Sequence, residues 1–214
     1  AHDFNNLLTG ILGNVTLAML EERVMPLVGD SLRDIEASAK RARDLTQQLL
    51  TFAKGGAPMR DDVALPELLQ NAAGFALSGA KARAEYRIEP DVWTVHADRN
   101  QLGRALQNLI VHARGAMPEG GIVTFQAANE TFESPTGAIA AGRYVRVIIT
   151  DHGPGLPAER LPGFFDPYSA TRFGDDRFAM AIAYSIVKRH GGHIEVQSSL
   201  GLGTEFRLWI PDFH

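Results

Sequence analysis

The 214-residue sequence contains no cysteine, which excludes a disulfide framework and cysteine–zinc chemistry and fits a reducing compartment. It also lacks an apolar run near the roughly 18 residues that span a bilayer. Basic residues are not in excess, because 21 Lys and Arg face 25 Asp and Glu, whereas nucleic-acid binders usually carry a basic surplus. We therefore expect a cytoplasmic location, no nucleic-acid partner and no membrane contact by this segment.

The N-terminal quarter has the pattern of two amphipathic helices. Apolar side chains recur at helical spacing over residues 1–22, and residues 32–54 follow a seam close to heptad spacing. Asp30 or Ser31 would cap the second helix. Neither helix hides its stripe alone, so we expect a helical hairpin, residues 1–54, that forms a four-helix bundle as a homodimer. The opening "AHDFNN" carries no helix start signal, and we expect the cytosolic part of a larger sensor whose sensing or anchoring segment lies upstream.

The rest of the chain alternates strand and helix patterns after a linker at residues 55–62, "GGAPMRDD". Helical periods at 65–77, 99–117 and 178–190 are interleaved with short strands, and the last two strands form a closing hairpin. Residues 63–214 therefore predict one mixed sheet covered on one face by helices. The expected fold class is α+β, a helical hairpin followed by an α/β sandwich.

His2 lies beside Asp3, and Asn6 follows one helical turn later on the same face as His2. An imidazole nitrogen can attack a phosphoryl group while a neighbouring carboxylate orients or takes the proton on the other ring nitrogen. Read by itself, the pair is more typical of a solvated histidine next to a first-turn acid than of a catalytic site. The pair His190 and His193 suggests zinc, but a helix stop at Gly191 explains it without a metal.

Five ordered motifs together resemble the transmitter core of two-component histidine kinases. They are "HDFNN", "DRNQLGRALQNLIVHARGAMPEGG", "DHGPG", "FFDPYSATR" and "AIAYSIVKRHGGHIEVQSSLGLGTEFRLWIP". The resemblance implies a phosphoacceptor hairpin followed by an ATP-binding domain of the GHKL ATPase type, with a response-regulator receiver as partner. It makes His2 the phosphoacceptor, Asp3 its general base or orienter, and Asn6 the residue that positions water for dephosphorylation.

The same resemblance assigns an adenine pocket and a cation. Asp151 would receive the adenine amino group, Gly153 and Gly155 would let backbone approach the ring, and Thr204 would lie near it. ATP and Mg²⁺ are the cofactors that the family implies, with Asn108 contributing to the nucleotide site and to the metal if Mg²⁺ binds.

Two departures from the family pattern concern the phosphates and the cation. His112 stands where the family has a second Asn that ligates Mg²⁺, and imidazole is a poor substitute for an amide oxygen. The family's glycine-rich "GTGLGLA" falls on "DDRFAMA", residues 175–181, which places carboxylates and side chains where backbone N–H groups would hold phosphates.

Four functions stay open on these residues. The first is a phosphorelay core in which His2 exchanges phosphoryl with a receiver while ATP binding is impaired, and the second is a working ATP-dependent autokinase. The third is a GHKL ATPase of the gyrase, chaperone or mismatch-repair kind, which would need a glutamate where Asn108 stands and has no place for the hairpin. The fourth is a regulatory pseudokinase that dimerises and never carries phosphate.

Overall fold

The computed structural model describes residues 2–20, 28–36, 38–39, 58–166 and 176–212, and the side chains of residues 2–7, 176 and 177 lie outside this description. The chain divides into two compact units, Ala1–Ala57 and Pro58–His214. In the described residues, no helix is both long and apolar enough to cross a membrane.

The described part of the N-terminal unit contains two helices, α1 (His2–Met19) and α2 (residues 28–36 and 38–39). Side chains of both helices line one groove, so the helices pack side by side. Asp30 and Ser31, expected to cap the second helix, lie inside α2, where Asp30 pairs with Arg33 at 2.6 Å. The capping prediction was wrong because Pro26 and Gly29 were interpreted as a break, whereas the helix already includes residue 28.

The C-terminal unit follows the expected mixture of helices and strands. Its elements are β1 (Asp61–Ala64), α3 (Leu65–Ala76), β2 (Ala82–Ile88), β3 (Thr94–Ala97), α4 (Arg99–Gly115), β4 (Gly121–Phe132), β5 (Gly142–Asp151), a 3₁₀ turn (Ala158–Arg160), α5 (Asp176–Arg189), β6 (His193–Ser199) and β7 (Gly203–Pro211).

Five of these strands form one mixed sheet in the order β2-β4-β5-β7-β6, in which β2 and β4 are parallel and the other pairs antiparallel. Alternate residues of β4, β5 and β7 are fully buried, and the helices α3, α4 and α5 pack on the sheet and on one another. Alternation of this kind is what a sheet with one covered face requires. The predicted α+β class, helices followed by a sheet layered with helices, is confirmed.

Strand β1 was not predicted. It begins at Asp61, inside the stretch interpreted as a linker, and pairs antiparallel with β3, Asp61 opposite Ala97 and Val63 opposite Val95. Four residues with one fully buried side chain, Val63, give too little alternation to identify a strand from the sequence. The segment that leads into the C-terminal unit is therefore held by main-chain pairing.

Helix α4, which carries two of the candidate site residues, is fixed at both ends. The carboxylate of Asp98 caps its first turn by accepting hydrogen bonds from the N–H groups of Asn100 and Gln101, both at 3.0 Å. Near its C-terminus, Arg114 donates to the carbonyl of Ala76 at 2.8 Å and so ties α4 to the end of α3. These anchors hold Asn108 and His112 at a defined height above the sheet.

Candidate nucleotide site

Asp151 ends β5 and lies at the base of the candidate site with no exposed surface. Its Oδ1 accepts the N–H of Gly153 at 2.9 Å and the N–H of Thr204 at 3.3 Å. Its Oδ2 is also buried and has no hydrogen-bond partner among the described residues. A buried carboxylate oxygen without a donor is costly. The geometry fits a donor from a bound molecule, such as an exocyclic amino group.

Burial raises the pKa of the Asp151 carboxyl above its ordinary value. The hydrogen bonds from Gly153 and Thr204 and the nearby charges of His112 and His152 act in the opposite direction but do not cancel the burial. The carboxylate is therefore held in a place that does not favour its charge, which is a common property of functional sites.

Three glycines let the backbone close around this carboxylate. A Cβ on Gly155, whose φ is +69°, would overlap the carbonyl oxygen of Ser199, and one on Gly203, at φ +89°, would overlap the carbonyl oxygen of Asp151. Gly153 is tight as well, since a Cβ there would lie 2.9 Å from the carbonyl oxygen of Ala116. The loop after β5, the end of α4 and the β6–β7 turn are thus in direct backbone contact.

We expect Gly203→Ala to destabilise the protein far more than Gly201→Ala. Both glycines have positive φ, but a Cβ on Gly201 meets nothing within 4 Å, whereas one on Gly203 collides with the backbone. The Gly201 variant should lose about 1–2 kcal/mol from the left-handed backbone alone, and the Gly203 variant at least about 4 kcal/mol, as a steric clash is added. Urea unfolding followed by circular dichroism measures both, and equal losses would contradict the close approach.

Ser198 locks the loop to the hairpin, a role that sequence reasoning missed. Its Oγ accepts the N–H of Leu156 at 2.8 Å, donates to the carbonyl of Gly203 at 2.8 Å and lies 3.0 Å from the Oγ1 of Thr204. A serine on a strand carries no local signal for such a role, because its partners are set by the pairing of distant segments.

The candidate residues of α4 have different surroundings. Asn108 donates from its side-chain amide to the carbonyl of Ala179 at 3.0 Å, which joins α4 to the first turn of α5. The ring of His112 packs edge-on against Phe164 and Phe206, with centroids 5.6 and 5.5 Å away. Residue 112 therefore presents an imidazole ring among aromatic side chains instead of an oxygen ligand. A nitrogen ligand of this kind does not fit a hard cation such as Mg²⁺.

The other sequence-predicted residues are placed less completely. Helix α1 includes His2, Asp3 and Asn6, and α5 begins at Asp176, but the side chains of these residues lie outside the described part, as does all of Asp175. Around His190 and His193, no group of three or more potential metal ligands occurs among the described residues. Both ring nitrogens of His190 are used within the protein, by the N–H of Asp98 and the carbonyl of Ile186.

Comparison with known proteins places the chain in a family. The model described as "Histidine kinase-, DNA gyrase B-, and HSP90-like ATPase" matches residues 97–214, and the model "His Kinase A (phospho-acceptor) domain" matches residues 1–58. The sensor kinase CckA of Brucella abortus (strain 2308) is 31% identical over 219 residues, 99% of this chain and 23% of that protein. Sensor histidine kinase ZraS of Escherichia coli (strain K12) is 27% identical over 217 residues, 99% of this chain and 44% of that protein. The chain thus spans less than half the length of these relatives.

Solved structures agree with the fold. Full-length ShkA in complex with AMPPNP superposes with a TM-score of 0.66 at 23% identity, covering 98% of this chain and 44% of that one. The mycobacterial sensor histidine kinase MprB gives a TM-score of 0.58 at 23% identity over 72% of this chain and 97% of that one. With a family model covering residues 97–214 and a second covering residues 1–58, the chain belongs to the histidine kinase-, DNA gyrase B- and HSP90-like ATPases and is a two-component histidine kinase transmitter core.

Proposed function

We propose that this transmitter core works as a histidine phosphotransferase in a phosphorelay, with His2 as the phosphoacceptor. Its nucleotide site would still bind adenine but would bind the triphosphate and the cation only weakly. The observation that carries the proposal is the contrast between the two ends of the site. One end offers the buried Oδ2 of Asp151, which has no hydrogen-bond partner among the described residues, and the other offers the imidazole of His112 packed against two phenylalanines.

The adenine end is supported by the fit of its residues to a purine. Asp151 would accept the amino group of the base, while Gly153, Gly155 and Thr204 would bring backbone close to the ring. ATP with Mg²⁺ is the cofactor of the family, and its triphosphate supplies a transferable phosphoryl group when bound. Asn108 and His112 would face that part of the nucleotide.

The phosphate end is where we propose the loss. Helix α5 begins at Asp176 and carries Arg177 and Ala179 at positions where the family resemblance implies glycines. Helix N-termini bind phosphate through free backbone N–H groups, and side chains with negative charge oppose that binding. The helix itself persists because Phe178 and Met180 are buried in the core, so its presence does not depend on a nucleotide.

The proposed chemistry at His2 does not need ATP. An imidazole nitrogen of His2 attacks the phosphorus of an aspartyl phosphate on a receiver domain; the N–P bond forms, the P–O bond to the aspartate breaks, and the aspartate leaves as a carboxylate. Asp3 orients or takes the proton on the other ring nitrogen, and Asn6 positions the water that later removes the phosphoryl group. Metal for the transfer is held by the receiver.

The helical unit is proposed to act as a homodimer through residues 1–54, with a linker that ends before β1 at Asp61 and with the nucleotide domain after it. Apolar side chains of α1 and α2 stay exposed in the single chain, with Leu17 at 67% and Ile11 and Ile35 at 46%. A second copy that covers them would complete a four-helix bundle.

Phosphoryl transfer to His2 from two donors tests the proposal. A panel of receiver domains phosphorylated with labelled acetyl phosphate should label the wild-type chain, whereas γ-labelled Mg²⁺-ATP should label it at least about 100-fold more slowly, a barrier difference of about 2.7 kcal/mol. The His2→Ala variant should take no label, and His193→Gln, a matched histidine change away from the site, should behave as wild type.

The intact adenine end favours one alternative, an ATP-dependent sensor histidine autokinase. That function predicts rapid labelling by Mg²⁺-ATP that disappears in His2→Ala. Such a result, with or without transfer from receivers, would contradict the proposed loss of the phosphate grip.

A further inference from the structure

A partly buried hydrogen-bond network joins the start of the C-terminal unit to the ends of two helices. Asp98 is at its centre: Oδ1 caps α4, and Oδ2 accepts the main-chain N–H of Met59 at 3.0 Å. The N–H of Asp98 donates to Nε2 of His190 at 3.0 Å, and His190 directly follows the last residue of α5. A second tie runs from the guanidinium of Arg60 to the carbonyl of Arg189, at 3.2 Å.

The protonation state of His190 is set by these contacts. The residue is 1% exposed, and its Nδ1 lies 2.8 Å from the carbonyl of Ile186, which only accepts. Nδ1 therefore carries the hydrogen and Nε2 is the acceptor for the N–H of Asp98. A second proton on the ring would bring two N–H groups face to face and break the bond between Asp98 and His190.

The surroundings of the ring favour its neutral form. Burial has the largest effect and lowers the pKa of His190 below its ordinary value. The charge of Arg60 also lowers this pKa, whereas the carbonyl of Ile186 and the charge of Asp98 raise it. The folded protein thus prefers the neutral ring, while an opened segment would let the ring take a proton at its ordinary pKa of about 6.5.

We propose that Met59, Arg60, Asp98 and His190 form a proton-sensitive latch that fastens residues 58–60 to the start of α4 and the end of α5 and opens when His190 is protonated. Residues 58–60 follow directly on the N-terminal unit, which ends at Ala57. Since α4 carries Asn108 and His112, and α5 starts at the phosphate end, an open latch would also loosen the nucleotide site. That last consequence rests on the proposed function, but the latch itself does not.

The size of the effect follows from proton linkage. Stability from a histidine whose pKa is lowered by folding is present above about pH 6.5 and is lost as the pH falls below it. If opening exposes His190, the opening constant rises by at most about ten-fold at pH 5.5 and hardly at all at pH 7.5. Amides that are protected by the latch should lose protection by the same factor.

Amide hydrogen exchange of the whole chain without nucleotide, corrected for intrinsic rates, tests the latch at pH 7.5 and 5.5. The amides of Met59 and Asp98 should lose up to about ten-fold of their protection at pH 5.5, while those of Val147 and Leu208 in the central sheet should not. His190→Gln, which keeps an acceptor for Asp98 but cannot titrate, should show no such loss. His193→Gln should follow wild type.

A second variant keeps the test decisive if His190→Gln folds poorly. Asp98→Asn preserves a good cap but replaces one carboxylate oxygen by a donor, so the Met59 amide should be unprotected at both pH values while the Asp98-position amide still responds to pH. Equal protection at both pH values in wild type, or a loss shared equally by Val147 and Leu208, would overturn the latch. Failure of AMP to bind at pH 7.5 would instead count against the proposed function and leave the exchange result standing.

Discussion

Replacing Asp151 by asparagine should abolish most of the adenine-nucleotide affinity while leaving the fold intact or more stable. The amide oxygen can still accept the N–H groups of Gly153 and Thr204, as Oδ1 does now. The amide nitrogen would then replace the buried Oδ2 and face the amino group of the base, donor against donor. A hydrogen bond to a charged group is worth about 1.5–3 kcal/mol, so we expect a loss of about ten-fold to 150-fold in AMP affinity.

The stability of the free protein should change in the opposite direction. Because burial raises the pKa of Asp151 in the folded state, its carboxylate destabilises the fold at neutral pH, and this cost is relieved as the pH falls through the raised pKa toward the ordinary value of 3.8. The asparagine variant should therefore melt at an equal or higher temperature at pH 7, and its advantage should shrink as the pH is lowered.

Calorimetric titration with AMP and thermal unfolding at several pH values measure the two effects. Asp91→Asn is the matched control, because it makes the same chemical change at an exposed turn whose φ of 60° asparagine tolerates. An Asp151→Asn protein that binds AMP as wild type does would contradict the assignment of the adenine end, and one that unfolds more easily than the Asp91→Asn control would contradict the buried-charge argument.

Rebuilding the phosphate end should produce the second large effect. Changing residues 175–181 from "DDRFAMA" to "GTGFGMA" and His112 to asparagine restores the features that the family resemblance implies. A carboxylate about 6 Å from a phosphate charge costs on the order of 3 kcal/mol at an effective dielectric of about 20. Removal of two such charges and return of backbone N–H donors, offset in part by the loss of the Arg177 cation, should raise Mg²⁺-ATP affinity at least about 100-fold.

The rebuilt segment and the His112 substitution should have separate effects on ATP binding. The rebuilt segment alone should strengthen ATP binding without a requirement for Mg²⁺, and His112→Asn alone should add cation dependence, at a cost of the edge-on contacts to Phe164 and Phe206. AMP affinity should stay within about three-fold throughout, because the adenine end is untouched. A double-mutant cycle over the two changes measures their coupling, and a rebuilt protein that binds Mg²⁺-ATP no better than wild type would contradict the proposed loss.

Much of the fold could be predicted from the sequence because its signals are local. Helix α5 has an apolar stripe and ends before Gly191, and β4 and β5 alternate over ten or more residues. β1 could not be identified, since its four residues are defined by pairing with β3, more than thirty positions later. The cap of α2 was misplaced because a nearby glycine and proline suggested a break, whereas the described helix already includes residue 28.

The residues of the candidate site also divide into those that local motifs predict and those that they do not. Asp151, Gly153, Gly155 and Thr204 carry recognisable motifs, and the structure brings them together. The role of Ser198 and the contact between Asp98 and His190 depend on residues 42 and 92 positions apart and have no local pattern. One signal was available and missed, since Asp98 followed by Gln101 before an apolar run is a capping-box pattern.

Nucleotide titration of the wild-type protein tests most directly whether it has lost the ability to bind the triphosphate. AMP, ATP without cation and ATP with Mg²⁺ are titrated into the unaltered chain at pH 7.5. ATP, with or without Mg²⁺, is expected to bind no more tightly than AMP, since the base would supply nearly all of the favourable binding energy. Binding of Mg²⁺-ATP more than about ten-fold tighter than AMP would show that the triphosphate and the cation are held after all.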